Sequence, residues 1–240
     1  MKKTAVFLAA LVAGVALRAD EAPAAAAAPV VPTEPAAAYS ITADFTYVSS
    51  YVFRGAKLAD DAIQPSIKFA AGSAYAGVWF SEPIDSEFDN EIDFYGGYTF
   101  GLADGWSLDV GATLYYYPEA PSEVDESTIE AYVGLTGTLG GVTLGGYVYH
   151  DFTLEATTVQ GNVGYGIPIS DKISCNLAAN LGYVTFDEGD DYTYYGVSVQ
   201  LPWKISDHST LTVGGSYANN DIPDAEDDLF WVNAGFSYTF

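Results

Sequence analysis

Basic residues are scarce in this chain. Eight Lys and Arg stand against 32 Asp and Glu, a formal net charge of −24. Lys2, Lys3 and Arg18 sit at the front, so only Arg54, Lys57, Lys68, Lys172 and Lys204 serve the rest of the chain. Nucleic-acid binding relies on neutralising phosphates with Lys and Arg, and such a surface excludes it. Cysteine is nearly absent: Cys175 stands alone, so no internal disulfide can form. It shares a strand face with Ile173 and Leu177 and reads as a small apolar filler on the lipid side. There are two histidines, and no zinc constellation, phosphate loop, dinucleotide fingerprint or nucleophile-serine motif. The chain therefore reads as a non-enzyme. After Ser40 no apolar run approaches a transmembrane helix. Strongly acidic chains are often disordered, but those are poor in aromatics. This one is 15% aromatic with 19 tyrosines, ample surface to bury.

What is present begins with the last eleven residues. Phe230, Val232, Ala234, Phe236, Tyr238 and Phe240 alternate with Trp231, Asn233, Gly235, Ser237 and Thr239. A side-chain period of two gives a strand with one greasy and one wetter face. About ten residues is the length a tilted strand needs to cross a bilayer. Ending on an aromatic, the strand looks like the last strand of a bacterial outer-membrane barrel. Phe240 then resembles the signal that such barrels offer to their assembly machinery.

The front of the chain agrees. Lys2 and Lys3 precede a small and apolar run, Thr4 to Leu17, and Leu17-Arg18-Ala19 offers a cleavage site. Residues 1–19 read as a signal peptide rather than a retained membrane helix, because the run is short and no stop-transfer pattern follows. Residues 20–38, dominated by Ala and Pro, read as a periplasmic tail. The remainder, 39–240, is expected to be the barrel.

That barrel is predicted as all-β, a transmembrane up-and-down antiparallel β-barrel of about 12 strands. The expected strands are 40–55, 62–71, 74–81, 91–100, 105–117, 127–139, 142–151, 156–166, 172–186, 191–203, 209–218 and 229–240. Their connections alternate in chemistry. Short, nearly neutral turns at Gly72-Ser73, 101–104, Gly140-Gly141, 167–171 and 204–208 interleave with acidic loops at 56–61, 82–90, 118–126, 152–155, 187–190 and 219–228. Strict alternation puts the two classes at opposite ends of the sheet, short turns periplasmic and acidic loops outside. A soluble β-sandwich has no reason to sort its loops this way. Tyr115 to Tyr117, Tyr147, Tyr149, Tyr192, Tyr194 and Tyr195 are expected to form an outer aromatic girdle, with Trp106, Trp203, Tyr238 and Phe240 forming an inner one.

Specific segments carry a resemblance. Ser49-Ser50-Tyr51-Val52-Phe53-Arg54-Gly55, Ala62-Ile63-Gln64-Pro65, Tyr75-Ala76-Gly77-Val78-Trp79 and Glu91-Ile92-Asp93-Phe94-Tyr95-Gly96-Gly97-Tyr98 occur in order. Tyr115-Tyr116-Tyr117-Pro118 and Glu130-Ala131-Tyr132-Val133-Gly134-Leu135 follow them. Together they resemble the Gcw/TorF-type family of outer-membrane proteins, over about residues 40 to 155. Ser50 departs from the family pattern, where an Asp is usual. The resemblance implies a barrel and a porin label, and names no solute.

If the apolar parity faces lipid, the lumen carries Asp44, Arg54, Lys68, Glu91, Asp93, Asp109 and Glu130. Five acids against two bases favour cations. The expectation is a porin in the bacterial outer membrane for passive diffusion of small, preferably cationic or neutral, solutes. The alternative is a non-conducting barrel whose acidic loops serve structure or adhesion. An outer-membrane lipid hydrolase using His150 is a third, weaker reading. Arg54 either projects into the mouth to pair with Glu91, Asp93 or Glu130, or makes a salt bridge that holds the first hairpin. No cofactor is implied. The loop carboxylates at 187–191 and 221–228 offer oxygen ligands for calcium, bridging to lipopolysaccharide phosphates, or are simply solvated. Expected partners are outer-membrane lipid, lipopolysaccharide and the assembly machinery.

Overall fold

The computed structural model describes residues 39–84, 89–121 and 125–240. The expected signal peptide and Ala/Pro-rich tail lie outside the described residues, as do 85–88 and 122–124 in two acidic loops.

Among the described residues the strands are β1 (Ser40–Val48), β2 (Tyr51–Phe53), β3 (Ala56–Ala59), β4 (Ala62–Ala71), β5 (Ala74–Pro83), β6 (Glu91–Gly101), β7 (Ser107–Tyr116), β8 (Ser127–Leu139), β9 (Val142–Asp151), β10 (Ala156–Pro168), β11 (Ser174–Phe186), β12 (Tyr192–Lys204), β13 (Ser209–Asn220) and β14 (Asp228–Thr239). Twelve of these form a closed barrel in which β4 to β14 pair with their chain neighbours and β1 closes the ring between β14 and β4. Closure pairs Thr42 with Thr239 through Val48 with Asn233 on one side, and Ser40 with Ala70 through Val48 with Ala62 on the other. All pairings are antiparallel and the ring is closed, so the barrel is an up-and-down meander without sheet edges.

Period-two patterning sorts each strand. On β14, Phe230, Val232, Phe236 and Phe240 are 75, 57, 43 and 69% exposed, while Asn233, Gly235 and Ser237 between them face inward. Phe45, Ile67, Phe94, Val133, Val163, Leu181 and Val197 extend the apolar outer surface around the wall. So large a greasy band is untenable in water and suits the hydrocarbon core of a bilayer. Gly72, Gly140 and Gly141 take positive φ (59°, 60° and 85°), which lets the inner turns be as short as two residues.

Two expectations need correction. The first strand was expected to run to residue 55, but the wall ends at Val48 and the next twelve residues or so fold into the lumen as the separate β2–β3 hairpin. The outer girdle is the second. Tyr115, Tyr117, Tyr149, Tyr192 and Tyr194 are buried inside the barrel. Their strand parity, opposite that of the lipid-facing residues, places them there. Tyr195, of lipid parity, is exposed, as are Trp203, Tyr238 and Phe240 at the inner end.

Candidate functional site: a hairpin folded into the lumen

The site starts where the chain leaves the wall. The Ser49 backbone N–H donates to the Val232 carbonyl (2.9 Å), and Ser49 Oγ accepts from the Val232 N–H (2.9 Å). The Tyr51 N–H to Asp60 carbonyl bond (3.2 Å) and the Ser50 Oγ to Ala59 carbonyl bond (3.2 Å) close the base of the hairpin. Its tip is the two-residue turn Arg54-Gly55, both at positive φ (43° and 79°). Two left-handed residues are what a type I′ hairpin turn requires. Glycine accepts this freely, and a Cβ on Gly55 would also fall 2.5 Å from the Cβ of Tyr194. For Arg54 the conformation costs about 1–2 kcal/mol, so something must hold it there.

Both faces of β2 are buried, and β3 buries Ala56 and Ala59 while leaving Lys57 exposed. Tyr51, Phe53 and Ala59 pack with Val48, Ala62, Trp79 and Leu154. Ala56 packs with Val184, Tyr192, Tyr194 and Ile222, and Val52 with Ala218, Leu229 and Trp231. The strand residues among these partners form one continuous arc of wall, β11 to β14, β1, β4 and β5, with Leu154 and Ile222 from adjoining loops, and the hairpin reaches the opposite wall through its tip.

The tip is held electrostatically. Arg54 forms a bidentate pair with Glu130 on β8, with both N···O distances at 3.0 Å, and donates to Thr158 Oγ1 on β10 (2.7 Å). The two side chains are 1% and 3% exposed. The guanidinium lies 4.5 Å from the Tyr149 ring centroid, and Tyr115 donates to Glu130 Oε1 (3.2 Å). Asn220 Nδ2 donates to the Gly55 carbonyl (2.7 Å). Of the three carboxylates considered for Arg54, Glu130 is therefore its partner. Glu91 and Asp93 are buried on β6, near Tyr51, with Tyr117 donating to Glu91 (2.9 Å). Asp151, fully buried, accepts the N–H groups of Thr153 and Leu154 (2.9 and 2.8 Å).

The other expected lumen residues lie nearer the short-turn end and are less enclosed. Asp109 accepts from Tyr75 (2.9 and 3.0 Å) and Thr99 (3.2 Å), and the Tyr75 and Tyr132 hydroxyls are hydrogen-bonded. Lys68 sits 5.1 Å from the Tyr75 ring centroid, and Asp44 accepts from Ser66 (3.2 Å). The structure thus divides the seven residues. Arg54, Glu91, Asp93 and Glu130 belong to the end that holds the hairpin, and Asp44, Lys68 and Asp109 to the lumen nearer the short turns.

A model of a family of bacterial proteins of unknown function matches residues 32–239, nearly the whole chain. The chain belongs to the Gcw_chp family. Curated protein sequences give no match. Among solved structures, a KdgM porin is similar at 12% identity and TM-score 0.59, covering 83% of this chain and 99% of its own. A KdgM porin in complex with disordered oligogalacturonate has TM-score 0.57 at 12% identity, with 84% and 99% coverage. A NanC porin has TM-score 0.55 at 14% identity, with 82% and 98% coverage. At these identities the likeness establishes the fold alone, a closed antiparallel β-barrel.

Elsewhere this Gcw_chp barrel uses its acidic loops on itself. Asp191 accepts from Tyr183 (2.8 Å) and the Phe186 N–H (3.1 Å), and Asp221 from the Thr193 N–H (2.6 Å). Asp228 accepts from Tyr217 (2.5 Å). No group of three acidic, His or Cys side chains placed to hold a metal occurs among the described residues. Partial burial, with Glu119 adding repulsion, holds the Asp89 carboxyl above its usual range. His150 is on the exposed face, bonded to Thr157 Oγ1 (3.0 Å) and edge-on to Phe152. Sequence reasoning did not anticipate Thr158, Tyr149, Asp151 and Asn220 around the hairpin. Only the Arg-Gly pair and the inward parity of Tyr149 hinted at them.

Proposed function

We propose that this protein is an outer-membrane channel for small cationic or neutral solutes, closed at its outer mouth by its own β2–β3 hairpin and opened when that hairpin leaves the lumen. The observation that carries this reading is the Arg54–Glu130 pair at the tip of a segment crossing the bore. A hairpin tied to the far wall by one buried ion pair is a plug with a defined latch. The apolar outer band supports a membrane address, and the porin-type fold supports passage through the bore. Cation preference follows from Asp44, Asp109, Glu91 and Asp93 against Lys68, since Arg54 and Glu130 neutralise each other. An anionic sugar chain such as the oligogalacturonate found with a KdgM porin suits so acidic a lumen poorly. Lipid and lipopolysaccharide would surround the barrel, and the Phe240 strand would engage the assembly machinery.

The test compares the refolded full chain with a variant whose residues 50–60 are replaced by a short Gly-Ser turn, in planar bilayers under a salt gradient. The expected result is brief openings for the wild type, steady conductance for the variant, and a cation-selective reversal potential for both. Reproducible insertion without conductance in either would leave the barrel as a non-conducting surface protein.

A further inference from the structure

Below the hairpin, four tyrosines lie against the inner wall, each over a glycine of a neighbouring strand. Tyr95 covers Gly77, Tyr75 covers Gly97, Tyr132 covers Gly111 and Tyr147 covers Gly134. A Cβ on these glycines would meet ring or hydroxyl atoms at 2.1, 2.3, 2.5 and 2.0 Å respectively. With no side chain beneath, each ring can lie close against the wall. All four are half-buried, so the lumen can reach them.

The barrel's own cations show what such faces hold. Lys68 rests 5.1 Å from the Tyr75 ring centroid, and Arg54 rests 4.5 Å from that of Tyr149, which stacks on Tyr147 with centroids 5.7 Å apart. Both distances are within the range at which a ring quadrupole attracts a cation. A carboxylate stands behind one of the four: Asp109 accepts the Tyr75 hydroxyl, which is also hydrogen-bonded to that of Tyr132. Ring faces backed by negative charge favour large, weakly hydrated cations over compact hydrated ones, since only the former shed water cheaply enough to lie on a ring.

We infer that this tyrosine-lined lumen binds organic cations, solutes carrying an alkylated ammonium or a guanidinium group. The inference rests on the channel reading above and names the class of solute that channel takes. Tyr132 and Tyr147 supply the ring faces, and Lys68 is a built-in competitor for the Tyr75 face.

The experiment is calorimetric titration of the refolded full barrel in an uncharged polyoxyethylene detergent. Tetramethylammonium chloride is added at constant ionic strength against KCl, and sucrose serves as the neutral probe. Saturable tetramethylammonium binding is expected, weakened about tenfold in Tyr132→Leu/Tyr147→Leu and retained in Tyr132→Phe/Tyr147→Phe. Absence of saturable binding, equal loss in the Leu and Phe pairs, or binding of sucrose in place of the cation would overturn the inference. If the Leu pair does not refold, Lys68→Gln decides: affinity should rise, and an unchanged or lower affinity refutes the site. Cation-selective conductance without binding defeats this inference alone, whereas binding in a barrel that never conducts defeats the channel reading alone.

Discussion

Arg54→Met removes the latch and leaves most of the hairpin's apolar packing in place. The lost pair is bidentate, both distances are 3.0 Å, and the side chains are 1% and 3% exposed. Breaking a buried pair by deleting one partner costs about 3–5 kcal/mol, because the other charge stays behind uncompensated. Here the remaining charge, Glu130, is opposite Asp151 in the β8–β9 register, and both carboxylates are buried. That energy shifts the docked–undocked equilibrium by roughly two to three and a half orders of magnitude. Two assays read it. One is open probability in planar bilayers. The other is the labelling rate of Ala59→Cys, a position 1% exposed, by a membrane-impermeant maleimide in a Cys175→Ser background. Both should rise by at least about a hundredfold. In Arg54→Met/Glu130→Met much of the closure should return, since an apolar pair leaves no buried charge. Arg54→Met labelling and opening within a few-fold of the wild type, with the barrel folded, would refute the latch and assign closure to the apolar clusters alone.

Selectivity should follow the lower lumen: Asp44→Asn/Asp109→Asn is expected to move the reversal potential toward zero under a salt gradient, while an unchanged value would remove these carboxylates from the conduction path. Gly134→Ala sets a Cβ 2.0 Å from the Tyr147 ring and must swing it into the bore. Conductance of the hairpin-shortened barrel should fall, and unfolding should become easier by about 1–3 kcal/mol, as seen by the denaturant midpoint. The two-ended loop arrangement predicts that Asp224→Cys on intact cells reacts with an impermeant maleimide and Ser73→Cys does not; the reverse pattern would invert the barrel.

The wall was legible because every strand has one face in lipid and one in a wetter lumen. β14 shows the limit of that clarity: the alternation of Phe230, Val232, Phe236 and Phe240 in sequence is the alternation of exposure in the barrel. The hairpin was not legible for the opposite reason. Tyr51, Val52 and Phe53 are all buried, so no wet face marks a period, and the run reads as a continuation of β1. Arg54-Gly55 also lacks the Asn-Gly or Asp-Gly signature of a type I′ turn. The girdle error has another origin. Tyr115 and Tyr117 oppose Leu108 and Leu114 in parity and so belonged to the lumen, but their position near the strand ends suggested an interface. The tyrosine-over-glycine pairs depend on cross-strand register, which period alone does not give.

Closure in this barrel sets apolar packing against charge. Glu91, Asp93, Glu130 and Asp151 are buried, and the Arg54 guanidinium at the hairpin tip pairs with Glu130. Docked, the hairpin shields these carboxylates from water and from mobile cations. Undocked, it gives them back to an electrolyte that the acidic outer loops enrich in cations. Cations entering the open lumen bind that state and not the closed one, so mass action favours opening as salt rises. Screening of the docked ion pair works in the same direction but weakly, since a buried pair is little exposed to electrolyte. Raising KCl from about 0.1 M to about 1 M should therefore increase open probability, beyond the rise in conductance per opening. An uncharged osmolyte at matched osmolarity should not. The dependence should vanish once the hairpin is shortened, because the closed state is then gone. An open probability that stays constant across this salt range in the intact barrel would mean that the enclosed carboxylates place no strain on the closed state.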